Sequence, residues 1–361
     1  MCYNLTVQNA YKQQLDTLRA FSVIIVMFYH WKAPLFSAGF LGVDVFFVLS
    51  GFLITTLMIK ERKKKGKINF KNFWARRILR LMPLYLFFLT IFLVFSLVLQ
   101  PSLDLKNNEV QIYLLSLFFY FKNYILADYG PLAYFTIHLW SLAAEEQFYF
   151  IWPFLFFVLS KLKLKTVVVF MVSVIISMQV YRIIYSYDQH AFTLHFRGIG
   201  MLLGCLFAFL NEYFEKYRLF ENKKKMFSVL FVLGYLVITI LKIKFDISVK
   251  VLLSFTTIPF GVISALLIVS IWNDKTNSLG WLYGNRSLQY LGKISYGLYV
   301  WHVVAQVVIW KFFSPSFNEG FMEDSFYILQ SLVHFGLTIA ISHVSYVYLE
   351  SYFLKFKSKF R

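Results

Sequence analysis

Gly39-Phe-Leu-Gly-Val-Asp-Val-Phe-Phe-Val-Leu-Ser-Gly-Phe-Leu-Ile-Thr-Thr-Leu-Met-Ile59 runs directly into Lys60-Glu-Arg-Lys-Lys-Lys-Gly-Lys67. The first stretch holds 21 residues with one charge, enough helix to cross a ~30 Å hydrocarbon core. The second is a basic cluster of the kind retained on the cytoplasmic side of a membrane. The whole chain repeats this character. Of 361 residues, 59% are hydrophobic, 21% aromatic and only 15% charged, with 43 Phe. Such a composition excludes a soluble enzyme, a disordered chain and a disulfide scaffold. The net charge of +18 is explained by basic cytoplasmic loops, so no nucleic-acid partner is implied. Cys2 and Cys205 are too few to define a redox compartment.

Further apolar segments near 15–34, 79–99, 140–160, 166–185, 197–210, 226–243, 251–272, 291–311 and 326–347 bring the expected number of spans to ten. Residues 1–14 are polar and the first apolar run meets no cleavage site, so no signal peptide is expected. Lys60 to Arg80 carries ten basic residues against Glu61, and Lys161 to Lys165, Lys216 to Lys225 and the tail Lys355 to Arg361 are basic too. The segment 312–325, with Glu319, Glu323 and Asp324, has no Lys or Arg and belongs outside. These signs agree when 111–121 is a short or re-entrant piece and both termini are cytoplasmic. Lys242, Lys244 and Lys250 then fall in an outer loop, against the pattern. The expectation is an all-α polytopic transmembrane bundle, 1–361 as one domain, without internal repeats.

Ionisable groups inside spans cost roughly 2.5–3.5 kcal/mol each on insertion scales and so mark partners or function. Eleven residues separate Arg19 from His30, which is about 20° from eclipsed and about 16 Å along a helix. Asp16 lies about 40° off the same line. One face therefore carries all three, either as an interfacial anchor pair with a packing histidine or as part of a site. Arg77 and Arg80, a turn apart at an inner helix end, suit both a topology anchor and a fork for phosphate. Glu145 and Glu146, adjacent in an aromatic span, favour acid–base work because buried carboxylates need neutralising. Asp44 either caps the second span or orients His30, and His302 lies mid-span. His138, His190 and His195 fall in outer loops and read as surface histidines. No metal-ligand spacing, Gly-rich phosphate loop or Gly-x-Ser-x-Gly elbow is present.

In order along the chain, Arg19-x10-His30, Gly42-Val-Asp-Val-Phe-Phe-Val-Leu-Ser-Gly-Phe52, Arg77-Ile-Leu-Arg80, Trp140 to Tyr149, Ser295 to His302 and Tyr348-Leu-Glu350 resemble the motifs of the acyltransferase-3 family. That family O-acylates extracytoplasmic glycans and some small molecules. The resemblance implies a donor substrate, acetyl-CoA or another acyl-CoA, approached from the cytoplasm, with no permanently bound cofactor. It implies an acceptor hydroxyl on a cell-surface or lipid-linked glycan, reached from the opposite face of a bacterial cytoplasmic membrane. On this reading Arg19, Arg77 and Arg80 hold the donor, and His30, Glu145 and Asp44 are catalytic. Trp140 and His302 line the acceptor site. The family motif keeps its carboxylate at the first glutamate, which favours Glu145, as holder of the His30 imidazole or as proton acceptor, over Glu146. The chain ends about ten residues after Glu350, so a stand-alone form without an appended esterase-like domain is expected. A proton-coupled transporter or flippase is the main alternative, since midplane His and Glu suit a carrier too. A membrane sensor is a third.

Overall fold

The computed structural model describes residues 12–99, 107–125, 135–185, 192–220, 222–275, 278–313 and 324–360. His190, most of the acidic segment 312–325 and the polar N-terminal residues 1–11 lie outside the described residues. Every element in the described residues is helical. The long helices are α1 (Gln14–His30), α2 (Leu41–Lys65), α3 (Phe70–Leu99), α5 (Trp140–Leu159), α6 (Leu164–Tyr185), α7 (Ile199–Lys216), α8 (Lys224–Phe245), α9 (Val249–Asn273), α11 (Ser295–Phe313) and α12 (Asp324–Ser345). Shorter ones are α4 (Asn108–Phe118) and α10 (Arg286–Lys293). Among the described residues, seven helices are long and apolar enough to cross a bilayer. The chain is a multi-pass integral membrane protein. With 11 residues, α4 rises about 16 Å, half of what a crossing needs.

Helix ends depart from the expected spans for physical reasons. The lysine run is helical to Lys65 and α3 begins at Phe70, because long basic side chains carry a helix into the headgroup zone while their charges reach water. Conversely α1 stops at His30. Lys32 takes a left-handed backbone at φ 57°, and Ala33, extended at ψ 126°, precedes Pro34, which disfavours helix there. The expected 291–311 span divides into α10 and α11, the former pressed so close to α1 that a Cβ on Gly292 would lie 1.8 Å from the Asp16 carbonyl oxygen. Past α12 the helix continues as a five-residue π segment, Tyr346–Glu350, then Ser351–Phe356.

The centre of the bundle is α2, whose apolar window is 78% buried against 17% for α8. Side chains such as Phe154 and Phe157 on α5, Val169 and Ile176 on α6 and Leu233 and Ile240 on α8 point outward, as lipid-facing residues do. Its closest partner is α7, which carries Gly200 and Gly204 four residues apart, a small-residue spacing that lets membrane helices approach. A Cβ on Gly204 would stand 2.1 Å from the Val48 carbonyl oxygen, and one on Gly51 would stand 2.0 Å from that of Met201. Backbone touches backbone here. Gly204→Val therefore forces the helices apart at a cost of about 1–3 kcal/mol or more, read as a lower unfolding midpoint in detergent. Gly336→Ala, with nothing within 4 Å of its added Cβ, is the neutral control.

One charge that looks like a loop residue is structural. Lys224 is buried and donates to Asp274 at 2.6 Å and to Gln14 Oε1 at 3.2 Å, tying the ends of α8, α9 and α1. Lys242, one of the cations that sat against the charge pattern, pairs with Asp246 at 3.0 Å.

Candidate active site

Three histidines meet beside the end of α1. His30 is its last residue. Its Nδ1 lies 3.0 Å from the Val26 carbonyl oxygen and 3.1 Å from Nε2 of His302. Nδ1 of His302 is 2.6 Å from the Tyr299 carbonyl oxygen. Carbonyls only accept, so Nδ1 of each ring bears the proton, and neutral His302 presents a bare Nε2 to the N–H of His30. Nε2 of His30 is left with a lone pair and no described hydrogen bond. His302 and His138 are buried, whereas His30 is partly accessible.

His138 corrects the expectation of a surface histidine. The turn Ile137–Leu139 tucks it inward, 1% exposed, with Nε2 donating to the Val300 carbonyl at 3.2 Å and its ring 4.9 Å from that of His302. Tyr299 locks this arrangement, its hydroxyl 2.9 Å from the His138 carbonyl oxygen and 2.6 Å from Ser141 Oγ. Spacing along the chain gave no signal for this contact. His302, expected to line the acceptor site, abuts His30. Among the described residues no three His, Cys, Asp or Glu side chains are placed to hold a metal ion.

The described hydrogen bonds of Glu145 do not include the imidazole. Ser50 of α2 and Tyr149, one turn along α5, both donate to its Oε1. Arg77 lies over the Tyr149 ring at 4.5 Å, and Trp74 donates to the Tyr149 carbonyl at 3.2 Å. Glu145 thus reaches Arg77 through Tyr149, while Tyr299 beside His138 also feels its charge. Glu146 interacts electrostatically with Glu145 and Arg77 and makes no described hydrogen bond.

The arginines gather at the other end of α1. Arg19 pairs with Asp16 at 3.1 Å, and Arg76 with Glu61 at 3.2 Å while also donating to the Phe360 carbonyl. Lys357 stands in the combined field of Arg80, Arg77, Arg76 and Arg19. Glu350, 5% exposed, faces Arg80 and lies against Gly297. The C-terminal helix thereby completes a basic mouth that its sequence alone presented only as a basic tail.

Asp44 sits in the first turn of α2 and pairs with Arg197 at 3.1 Å, both 2% exposed at the side chain. Arg197 also covers the Trp140 ring at 5.0 Å, and Arg182 donates to Thr257 Oγ1 at 2.7 Å while feeling the Asp44 charge. So Asp44 neither caps α2 by a side-chain bond nor contacts His30, although Tyr29 beside His30 feels Arg197.

A polytopic helical bundle with an unprotonated imidazole nitrogen at one end of α1 and clustered arginines at the other defines a class of membrane protein with polar side chains gathered inside its bundle. Residues 12–347 match the acyltransferase domain, and the chain belongs to the acyltransferase-3 family of integral membrane proteins. It is 33% identical over 356 residues to O-acetyltransferase OatA of Staphylococcus aureus strain NCTC 8325, an alignment covering 94% of this chain and 57% of that protein. A putative O-acetyltransferase of strain MSSA476 is 29% identical over 367 residues, covering 96% and 58%. The chain thus spans a little over half the length of these curated relatives. No solved structure matches.

Proposed function

We propose that the protein moves an acyl group, acetyl by analogy with the names of its relatives, from cytoplasmic acyl-CoA to a hydroxyl of a cell-surface or lipid-linked glycan. The observation that carries this reading is the unprotonated Nε2 of His30, about 16 Å along α1 from Arg19. Coenzyme A is a polyanion with a long thiol-bearing arm. Its phosphates suit the mouth formed by Arg77, Arg80, Arg19 and Lys357, and the arm carries the thioester toward His30. There the imidazole takes the proton of the acceptor hydroxyl or attacks the thioester carbonyl itself. Glu145, holding Tyr149 beneath Arg77, supports the donor side, and Asp44, through Arg197, braces Trp140 on the acceptor side. Ten crossings with both termini cytoplasmic complete this reading.

Incubating radiolabelled acetyl-CoA with membrane vesicles tests it. Label on glycan supports transfer, and glycan or donor uptake without covalent label supports a carrier instead. Donor binding has its own test in Arg77→Gln with Arg80→Gln. Two contacts to charged phosphate, each worth about 1.5–3 kcal/mol, are then lost. Coenzyme A affinity of the solubilised protein should fall at least 100-fold, and unchanged affinity would return both arginines to a topological role.

A further inference from the structure

We infer that His302 is the proton acceptor behind His30, taking the Nδ1 proton of His30 as acyl transfer proceeds. This rests on the reading that His30 carries the transfer. Two acceptors share the Nδ1–H of His30, the Val26 carbonyl at 3.0 Å and Nε2 of His302 at 3.1 Å. The carbonyl fixes the tautomer but can never take the proton. Nε2 of His302 can, because its own proton sits on Nδ1, held by the Tyr299 carbonyl at 2.6 Å. In serine-hydrolase triads a buried carboxylate backs the imidazole at this position. Here the described contacts of His30 include no carboxylate, and Glu145 is engaged by Ser50 and Tyr149.

A neutral partner has a physical rationale at this depth. A carboxylate would have to be desolvated in the resting state before any return from pairing. The His30–His302 pair is uncharged at rest and carries charge only while an acyl group is in transit. The titratable groups facing His302 are His30 from α1, His138 from the 137–139 turn and Tyr299 from its own helix. His138 has committed its Nε2–H to the Val300 carbonyl and keeps a buried Nδ1 without a partner. It therefore presses on His302 as a neutral ring and donates nothing to Nε2.

The role is the same on both routes. In direct transfer the acceptor oxygen bonds to the acyl carbon and the C–S bond breaks. The hydroxyl proton goes to Nε2 of His30 and the Nδ1 proton to His302. The thiolate of coenzyme A then collects the proton from Nε2, and His302 returns the other to Nδ1. Through an acyl-imidazole, Nε2 bonds to the acyl carbon as C–S breaks, the Nδ1 proton moves to His302, and the thiolate is protonated from water. Return of that proton to Nδ1 makes the imidazole a good leaving group when the acceptor hydroxyl attacks, its proton passing to water.

Single-turnover acyl transfer by the full chain in proteoliposomes, with acetyl-CoA as donor, tests the relay. In direct transfer the wild-type rate should bend against the deuterium fraction of the solvent, as two protons in motion require. A linear dependence in wild type, with no acyl label trapped on the protein, overturns the proposal without any variant. His302→Gln keeps hydrogen-bonding atoms but cannot take up a proton. It should leave the KM for acetyl-CoA within about twofold, lower kcat by about 10²-fold or more and make the dependence linear. Wild-type kcat in His302→Gln, with His30→Ala inactive, sinks the relay and leaves the reading of His30 intact. Activity in His30→Ala sinks that reading itself.

Discussion

Correctly inserted His30→Ala protein is expected to bind acyl-CoA and to transfer no acyl group. A positioned general base contributes about 10²–10⁴-fold, and loss of a nucleophile leaves no covalent route at all. The variant should still fold. His30 is partly accessible, and its removal leaves His302 Nε2 as one unpaired acceptor. A net hydrogen bond of that kind is worth about 0.5–1.5 kcal/mol, within reach of a bundle held by α2–α7 backbone contact. Labelled acetyl-CoA given to vesicles of verified insertion reads the result. Transfer at the wild-type rate removes His30 from the reaction.

Glu145→Gln is expected to be the second most damaging change, through the donor side and not through the imidazole. Ser50 and Tyr149 both donate to one carboxylate oxygen, and bonds to a charged acceptor are worth about 1.5–3 kcal/mol each. The amide oxygen can still accept from both but carries no charge, so both bonds weaken to neutral ones. Tyr149 then loosens beneath Arg77, and coenzyme A affinity should fall roughly 10- to 100-fold. Glu146→Gln should do far less. It removes a like charge from beside Glu145 and one counter-charge from Arg77, effects of opposite sign, and breaks no described hydrogen bond. Equal losses in the two variants would show that Glu145 has no distinct role.

Much of this architecture is legible along the chain because lipid imposes length and charge rules that act locally. The runs of apolar residues locate the long helices, and the family motifs fall on the residues that line the two ends of α1. What stays hidden is contact across the bundle. His138 follows a loop and looks solvated, yet the turn before α5 carries it against His302. Glu145 looks like a partner for His30 by depth, but Ser50 reaches it first. The Gly200–Gly204 spacing is a local signal for close helix packing that a reading focused on charge passes over. Helix ends shift because lysines lengthen α2 whereas Pro34 shortens α1.

The π segment at Tyr346–Glu350 amounts to one residue too many for an α-helix. Were all five residues to take α geometry instead, everything after them would rotate by about 100°. Glu350 would swing off Gly297 and away from Arg80, and Lys357 would leave the arginine mouth. The chain from 351 onward therefore keeps time with the rest of the bundle only by an irregular beat. Losing that beat, with no residue gained or lost, is heard at the donor entrance.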